Sequence, residues 1–122
     1  MISVEEGGFL AFIVTGDITV DYLVGPYRTD ADISVIEGVF IADGEIIIES
    51  NDNDSFSDRK FRGEGTFVGW SGVDLQRDFT DSGTGSQAHQ TIPTETFTYR
   101  PDFIMNTPEF MLSPHSIWQE TN

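Results

Sequence analysis

The chain has 122 residues, no cysteine and a formal net charge of −15 at pH 7, which arises from 21 acidic and six basic side chains. Without cysteine the sequence offers no disulfides and no thiolate metal sites, and the charge disfavours nucleic acid and anionic lipid because both would be repelled. No apolar run approaches the roughly 20 residues that a membrane-spanning helix needs, so we expect no direct membrane insertion.

The length predicts a single domain, residues 1–122. Residues 1–8 form a lead-in, residues 9–78 a repeat region, and residues 79–122 a loop followed by a C-terminal capping tail. Solubility is the simplest reason for the acidic excess, with divalent cations, a saline surrounding or a basic partner as alternatives. The first residues, MISVEEGGF, lack the basic and apolar regions of a signal peptide, and a domain from a longer exported protein would lack them as well.

Four short segments of equal length align without gaps. Each has an aromatic residue, a small residue, a tight corner, an acidic position and then alternating apolar residues. The segments are residues 12–20, 27–35, 40–48 and 67–75. Because the last two copies begin about twice as far apart as the others, a degraded copy is expected within residues 49–66.

The first position of every copy predicts one interior column of stacked rings. We expect this core ladder to consist of Phe12, Tyr27, Phe40 and Phe67. After each corner, β-branched residues alternate with polar ones, which is typical of a strand with one buried face. No stretch shows a helical period, so the sequence predicts an all-β fold.

Two all-β architectures fit this repeat. In a small β-solenoid, or parallel β-helix, each copy occupies the same place on successive coils. In a hairpin-built β-sandwich, Asp43-Gly44 and the equivalent pairs would be two-residue turns. Asp30-Ala31 stands at the second corner, and alanine disfavours the positive φ that such a turn needs. The columns also match across the corners, so we expect the solenoid, with the sandwich as the alternative.

The run GDITVDYLVGPYRTDADISVIEGVFIADGEIII resembles the repeats of bactofilin-like, polymer-forming β-helices, in which short strands alternate with small corner residues. The resemblance covers about half of the chain. It implies end-to-end assembly into filaments and no active site. Bactofilin repeats are more uniform than these, and they do not match the region after residue 78.

The tail PTETFTYRPDFIMNTPEFMLSPHSIWQETN resembles the C-terminal end of uncharacterised bacterial surface proteins with a pilin-like anchor, through the phrases Y-R-P-D and I-W-Q-E. Its prolines forbid a long helix and disfavour a central strand. The open end of a solenoid must be covered, so we expect this non-repetitive tail to fold back along the coils.

An apolar strip is predicted on the face opposite the ladder, where Arg28 interrupts the row. We expect interaction through Ile13, Ile41, Val68 and Trp70, because an exposed apolar strip needs either the tail or a neighbouring molecule to cover it. Trp70 and Tyr22 would be the sugar platforms of a carbohydrate-binding or receptor-binding module, which is the alternative function.

The acidic stretch ESNDNDSFSD at residues 49–58 offers hard oxygen ligands within one loop. Asp52, Asp54 and Asp58 are the candidate calcium ligands. The EF-hand pattern fails, since Phe56 stands where a third alternate ligand belongs, and a solvated acidic loop is the simpler interpretation. No other cofactor is expected.

No catalytic residue is predicted. His89 lies in a Gly/Ser/Gln loop and His115 follows a proline, so we expect both to be solvated. A polysaccharide-active β-helix enzyme, the second alternative, would need two carboxylates roughly 5–10 Å apart in a groove. Asp17, Asp32 and Glu45 would form an acidic column, but Gly72 ends it.

These patterns favour a non-catalytic structural, self-assembling or interaction domain of a bacterial surface or filament protein. Its expected partners are copies of itself or the rest of a larger surface protein, with carbohydrate as a further candidate. The expected location is the cell surface, as part of an exported protein, and the cytoplasm is the alternative.

Overall fold

The computed structural model describes residues 1–27, 33–51, 58–79 and 93–112. Within these ranges, seven strands and two short helices follow one another. They are β1 (Ala11–Val14), β2 (Ile18–Val20), β3 (Ile36–Ala42), β4 (Glu45–Ile48), β5 (Phe61–Gly69), β6 (Gly72–Leu75), β7 (Glu95–Thr98), α1 (Asp102–Met105) and α2 (Glu109–Leu112). The predicted all-β character is confirmed, since strands in parallel sheets dominate the described part of the chain.

The strands form two parallel sheets, with the orders β1-β3-β5-β7 and β2-β4-β6. The chain crosses from the first sheet to the second in three strand-corner-strand units: unit 1 (residues 11–20), unit 2 (36–48) and unit 3 (61–75). The two strands of a unit belong to different sheets, so their corners are not hairpin turns. All pairings between the named strands are parallel, unlike the antiparallel pairing that the sandwich alternative requires.

The register between units corrects the predicted repeat length. Phe12 pairs with Phe40, and Phe40 pairs with Phe67. The structural repeat is therefore about twice the spacing between the first sequence copies, which begin at Phe12, Tyr27 and Phe40. The copy at residues 27–35 falls on the connection between β2 and β3, outside both sheets; its central residues, 28–32, lie outside the described ranges.

The interior is built from columns of equivalent apolar residues. Along the column Ile18–Ile46–Val73, the central side chain is fully buried and Val73 is exposed. The other central members are buried as well: Phe40, Ala42 and Ile48. Since a central residue is covered from both sides and a terminal one from a single side, burial falls off towards the two ends of the sheets.

The corners stack on one another through main-chain hydrogen bonds. The backbone N–H of Gly44 donates to the carbonyl of Gly16 at 3.2 Å, and that of Ser71 to the carbonyl of Gly44 at 3.0 Å. The Asp17 carboxylate accepts a hydrogen bond of 2.8 Å from the backbone N–H of Glu45. A Cβ atom on Gly44 would overlap that carboxylate, which explains why a glycine follows the acid at this corner.

Residues 99–105 of the C-terminal tail fold back on the outer face of the first sheet. Phe103 in α1 is 1% exposed and packs edge-on against Phe9 at 6.4 Å between ring centroids. The Arg100 guanidinium lies 3.2 Å from the carboxylate of Glu37 and 3.7 Å from that of Glu64. An apolar contact and ion pairs thus hold residues 99–105 in place. Neither helix in the described ranges has the length and hydropathy needed to cross a bilayer.

Candidate interaction site

Three of the four residues of the predicted core ladder lie in one column. The rings of Phe12 and Phe40 stack with centroids 5.3 Å apart and an interplanar angle of 12°, and those of Phe40 and Phe67 at 5.1 Å and 9°. Tyr27 does not join them: it is 58% exposed, and its ring faces the Arg59 guanidinium at 5.1 Å. The prediction for Tyr27 is wrong because its copy lies on the connection between β2 and β3.

The first ring of the ladder is exposed, and the last ring is partly covered by a further aromatic side chain. Phe12 is 42% exposed, whereas Phe67 contacts Phe97 of β7 edge-on at 5.1 Å. Phe97 is itself 39% exposed. The aromatic core therefore reaches solvent at both ends of the first sheet.

The predicted apolar strip is present on the outer face of the first sheet. Ile13, Ile41 and Val68 lie side by side in register. Ile13 is 63% exposed, and the other two are half-buried. Trp70, at the corner after β5, is 74% exposed, while Tyr22 is half-buried. Arg28 lies outside the described residues.

The tail covers a different row of the same face. Phe103, Ile104 and Met111 line a cavity of about 320 Å³ together with Val39 and Thr66. The outward row next to it, which contains Ile13, stays accessible to a partner.

Unpaired strand edges mark both ends of the two sheets within the described residues. At the N-terminal end, β1 and β2 are the edge strands. At the C-terminal end, β6 is an edge, and so is the second half of β5, because β7 pairs only with residues 61–64. Such edges present backbone donors and acceptors to any strand that approaches them.

A cavity of about 390 Å³ opens at the C-terminal end, between β6 and β7. Its main lining side chains are Phe67, Val73, Leu75, Phe97 and Tyr99. Val73 and Leu75 continue the inward-pointing columns of units 1 and 2, yet are 45% and 48% exposed. The cavity is therefore interior surface of the last unit that the described residues leave uncovered, and none of its described lining residues carries a carboxylate.

A buried arginine, which the sequence pattern did not reveal, ties the connections between units together. Arg77 is 5% exposed, and its guanidinium donates hydrogen bonds to backbone carbonyls from residues before and after unit 2. The acceptors are the carbonyls of Asp21, Val24, Glu49 and Arg59, at 2.7–3.2 Å. Burial lowers the pKa of Arg77, against the opposing charges of nearby carboxylates. The sequence shows an arginine directly after an alternating apolar strand, but this pattern does not reveal its partners, because the acceptor carbonyls lie up to 56 residues away.

Glu95 at the start of β7 belongs to the same cluster. Its carboxylate accepts a hydrogen bond of 2.9 Å from the backbone N–H of Arg77. Burial raises the pKa of Glu95, and the hydrogen bonds from Arg77 and Thr94 only partly offset this. The group is thus better suited to holding β7 against the preceding connection than to chemistry with a solvent-borne substrate.

The structure describes one of the three predicted calcium ligands. Asp52 and Asp54 lie outside the described residues, whereas Asp58 is fully buried. Its carboxylate accepts hydrogen bonds from the Ser50 hydroxyl at 2.7 Å and from the backbone N–H groups of Asn51 and Asp78 at 2.8 and 3.0 Å. Asp58 therefore has a structural role, and no cluster of three metal-ligating side chains occurs among the described residues.

The remaining polar predictions are partly described. Asp17 and Glu45 occupy equivalent corner positions and are exposed, with Gly72 third in that column. Asp32, His89 and His115 lie outside the described ranges.

No family model matches the chain, and neither the curated proteins nor the solved structures include a significant match.

Proposed function

We propose that this chain is a small β-solenoid with a structural, non-catalytic role: it joins copies of itself, or the rest of a larger bacterial surface protein, through its strand edges. Each strand-corner-strand unit is one coil, and the connections after β2, β4 and β6 complete the coils. The observation that carries the proposal is the shared register of units 1, 2 and 3, which stacks equivalent side chains and leaves edges at both ends.

The ends have what strand addition needs. An added parallel strand supplies main-chain hydrogen bonds, and its alternate side chains enter the interior. At the N-terminal end Phe12 is the exposed inward-facing ring, and at the C-terminal end Val73 and Leu75 are the exposed aliphatic side chains. Burying such surface is favourable by roughly 25 cal/mol per Å².

The net charge opposes association between copies. At −15, two copies repel each other over the distance at which salt has not screened their fields. The proposed self-assembly is therefore stronger at high ionic strength. This dependence separates apolar and strand-edge docking from a purely ionic contact, which salt would weaken.

Sedimentation velocity over a range of protein concentrations, at low and high salt, tests the proposal, with electron microscopy of the largest species. Self-assembly predicts species that grow with concentration and with salt, and filaments at the upper limit. A monomer under every condition contradicts self-assembly.

Trp70 favours a second candidate, a carbohydrate-binding module. Its indole is 74% exposed at a corner, and flat aromatic faces are suitable platforms for sugar rings. Glycan-array binding that Trp70→Ala abolishes would support this candidate, whereas binding that Trp70→Ala leaves intact, or no binding at all, would contradict it.

A further inference from the structure

The two ends of the molecule carry complementary halves of one coil. At the C-terminal end, β7 covers the first half of β5, residues 61–64, and no described strand pairs with the second half or with the outer edge of β6. At the N-terminal end, β1 covers only the second half of β3, residues 39–42, and β2 covers β4. One end thus supplies the first strand segment of a coil, and the other end supplies the rest.

We propose that two copies share a composite coil, in which β7 of one copy is continued by β1 and β2 of the next. This inference rests on the proposed function and specifies the joint. The contact is head-to-tail, so each copy keeps one free end of each kind, and the assembly is an open filament rather than a closed ring.

Side chains continue across this joint in the columns that already exist within one copy. Phe12 of the next copy reaches Phe67, and the Phe97 ring, which contacts Phe67 edge-on at 5.1 Å, must turn aside for Phe12 to stack there as Phe40 does. Ile18 and Val20 of the next copy lie beside Val73 and Leu75. The 390 Å³ cavity at the C-terminal end is the space that these side chains enter.

Main-chain hydrogen bonds continue as well. The N–H groups of Trp70 and Gln76 donate to the carbonyls of Ala42 and Ile48, one unit earlier. Thr15 and Asp21 are the equivalents of these donors in unit 1, so in the next copy their N–H groups donate to the carbonyls of Gly69 and Leu75. The joint therefore uses the hydrogen-bonding pattern that connects units 2 and 3.

The lead-in occupies part of the docking edge in the single chain. Ile2 forms an isolated parallel bridge with Ile36, and Ile36 is equivalent to Gly63, the partner of Phe97. Ile2 of the next copy and Phe97 thus require the same position in the joint. The lead-in contributes one bridge and a hydrogen bond from the Val4 N–H to Glu37, whereas the free side of β7 would face residues 34–37 of the next copy, the equivalents of its own partners 61–64. Docking therefore replaces the lead-in with β7.

The charge distribution at the corners permits this contact. Asp17 of the next copy would meet Gly72, because the third unit has glycine where the others have an acid. Thr19 of the next copy would meet Asp74, which is the single carboxylate of β6. The joint avoids a direct pair of acids even though the chain is strongly acidic.

Disulfide cross-linking of the double variant Thr19→Cys/Asp74→Cys tests this geometry in a chain without native cysteine. Thr19, Ile47 and Asp74 lie in register on three successive strands. Within one copy the two thiols are separated by two strand spacings, roughly 9.5 Å, which is beyond disulfide reach. Between docked copies they are adjacent. Oxidation should give a ladder of covalent multimers.

The matched control is Asp43→Cys/Asp74→Cys, which keeps two exposed thiols but moves one to a central corner. Oxidation of this control should give dimers at most, as expected for a variant with a single cysteine, and no larger covalent multimers. Deletion of residues 1–4 from the otherwise unchanged chain should lower the protein concentration at which assembly begins. Val73→Lys should abolish assembly, whereas Met105→Lys, which adds the same charge at an exposed position of α1 outside the proposed joint, should not.

The outcomes separate the two proposals. Salt-dependent oligomers without a Thr19–Asp74 ladder, or oligomers that survive Val73→Lys, overturn the composite coil and leave the proposed self-assembly standing. A protein that stays monomeric in sedimentation and forms no ladder overturns both the composite coil and self-assembly. Weaker assembly after deletion of residues 1–4 overturns the role of the lead-in as a placeholder for β7.

Discussion

The rings of Phe12 and Phe40 stack in parallel at 5.3 Å although they belong to different units of the chain. Their environments differ: Phe40 is 5% exposed between two other rings, and Phe12 is 42% exposed at the end of the column. Equivalent positions in the repeat therefore contribute differently to stability, according to the unit that carries them.

Phe40→Ala should lower the free energy of unfolding by about 3–5 kcal/mol, because it removes a buried ring and leaves a cavity. Phe12→Ala removes the same atoms from a half-exposed site, so its loss should be less than half as large. Urea denaturation followed by tryptophan fluorescence measures both. Equal losses in the two variants would argue against the column as the core of the fold.

Gly38 and Gly65, each two residues before a phenylalanine of the column, allow a second prediction about stability. Gly65 has φ +130 and lies in register with Gly38, φ +146. A Cβ atom on Gly65 would overlap the Gly38 carbonyl and press on the Phe103 ring. Gly65→Ala should therefore destabilise the protein by about 2 kcal/mol or more, through backbone strain and loss of this close approach.

Gly16→Ala is the control for this prediction, because Gly16 is a corner glycine with open space around the position of a Cβ atom. Its effect should be within about 0.5 kcal/mol. If both variants melt at the same temperature, the close packing of successive units at Gly38 and Gly65 does not contribute as proposed.

The strands were predictable where local pattern and packing agree. Alternating apolar residues after each corner identified β2, β4 and β6, because one buried face imposes a period of two. The aromatic columns of units 1, 2 and 3 followed from the same repeat. The copy beginning at Tyr27 has a similar local sequence but lies on a connection, since the positions equivalent to Phe12 in the first sheet are Phe40 and Phe67. Spacing alone did not distinguish a half-repeat from a whole one.

The polar cluster and the contacts that hold the tail were not predictable from local pattern. Arg77 binds carbonyls as far away as Asp21, and the Arg100 guanidinium reaches Glu37, 63 residues earlier. Such contacts depend on the complete path of the chain. The complementarity of the two ends is likewise visible only in the strand register, in which β7 covers the first half of β5 and β1 covers the second half of β3.

Arg77 should be one of the most sensitive positions in the chain. Arg77→Ala removes the guanidinium that four backbone carbonyls share and leaves a cavity where a buried side chain stood, and we expect a loss of about 3–5 kcal/mol or failure to fold. Arg77→Lys keeps the charge but cannot reproduce the planar set of donors, so it should also destabilise, though less than alanine. Thermal denaturation gives the order. A lysine variant as stable as wild type would show that charge, not the bonding geometry, is what the site requires.

Glu95 gives the fold a pH dependence of defined sign. Burial raises the pKa of this carboxyl in the folded state, so ionisation costs more there than in the unfolded chain. The stability contribution of the neutral acid is complete below the unfolded pKa of about 4.3 and is lost as pH rises through the higher folded value. Glu95→Gln stays neutral and keeps an acceptor for the Arg77 N–H. It should raise the free energy of unfolding at neutral pH, by less than about 1 kcal/mol since solvent partly screens the group.

The gain from Glu95→Gln should disappear at about pH 3, where the wild-type carboxyl is protonated in both states. Glu109→Gln is the control, because Glu109 is exposed and its substitution changes the net charge equally. Urea denaturation of the three proteins at several pH values separates the local effect from general relief of acidic repulsion. If Glu109→Gln stabilises as much as Glu95→Gln, or if the gain persists at low pH, the buried carboxyl is not its origin.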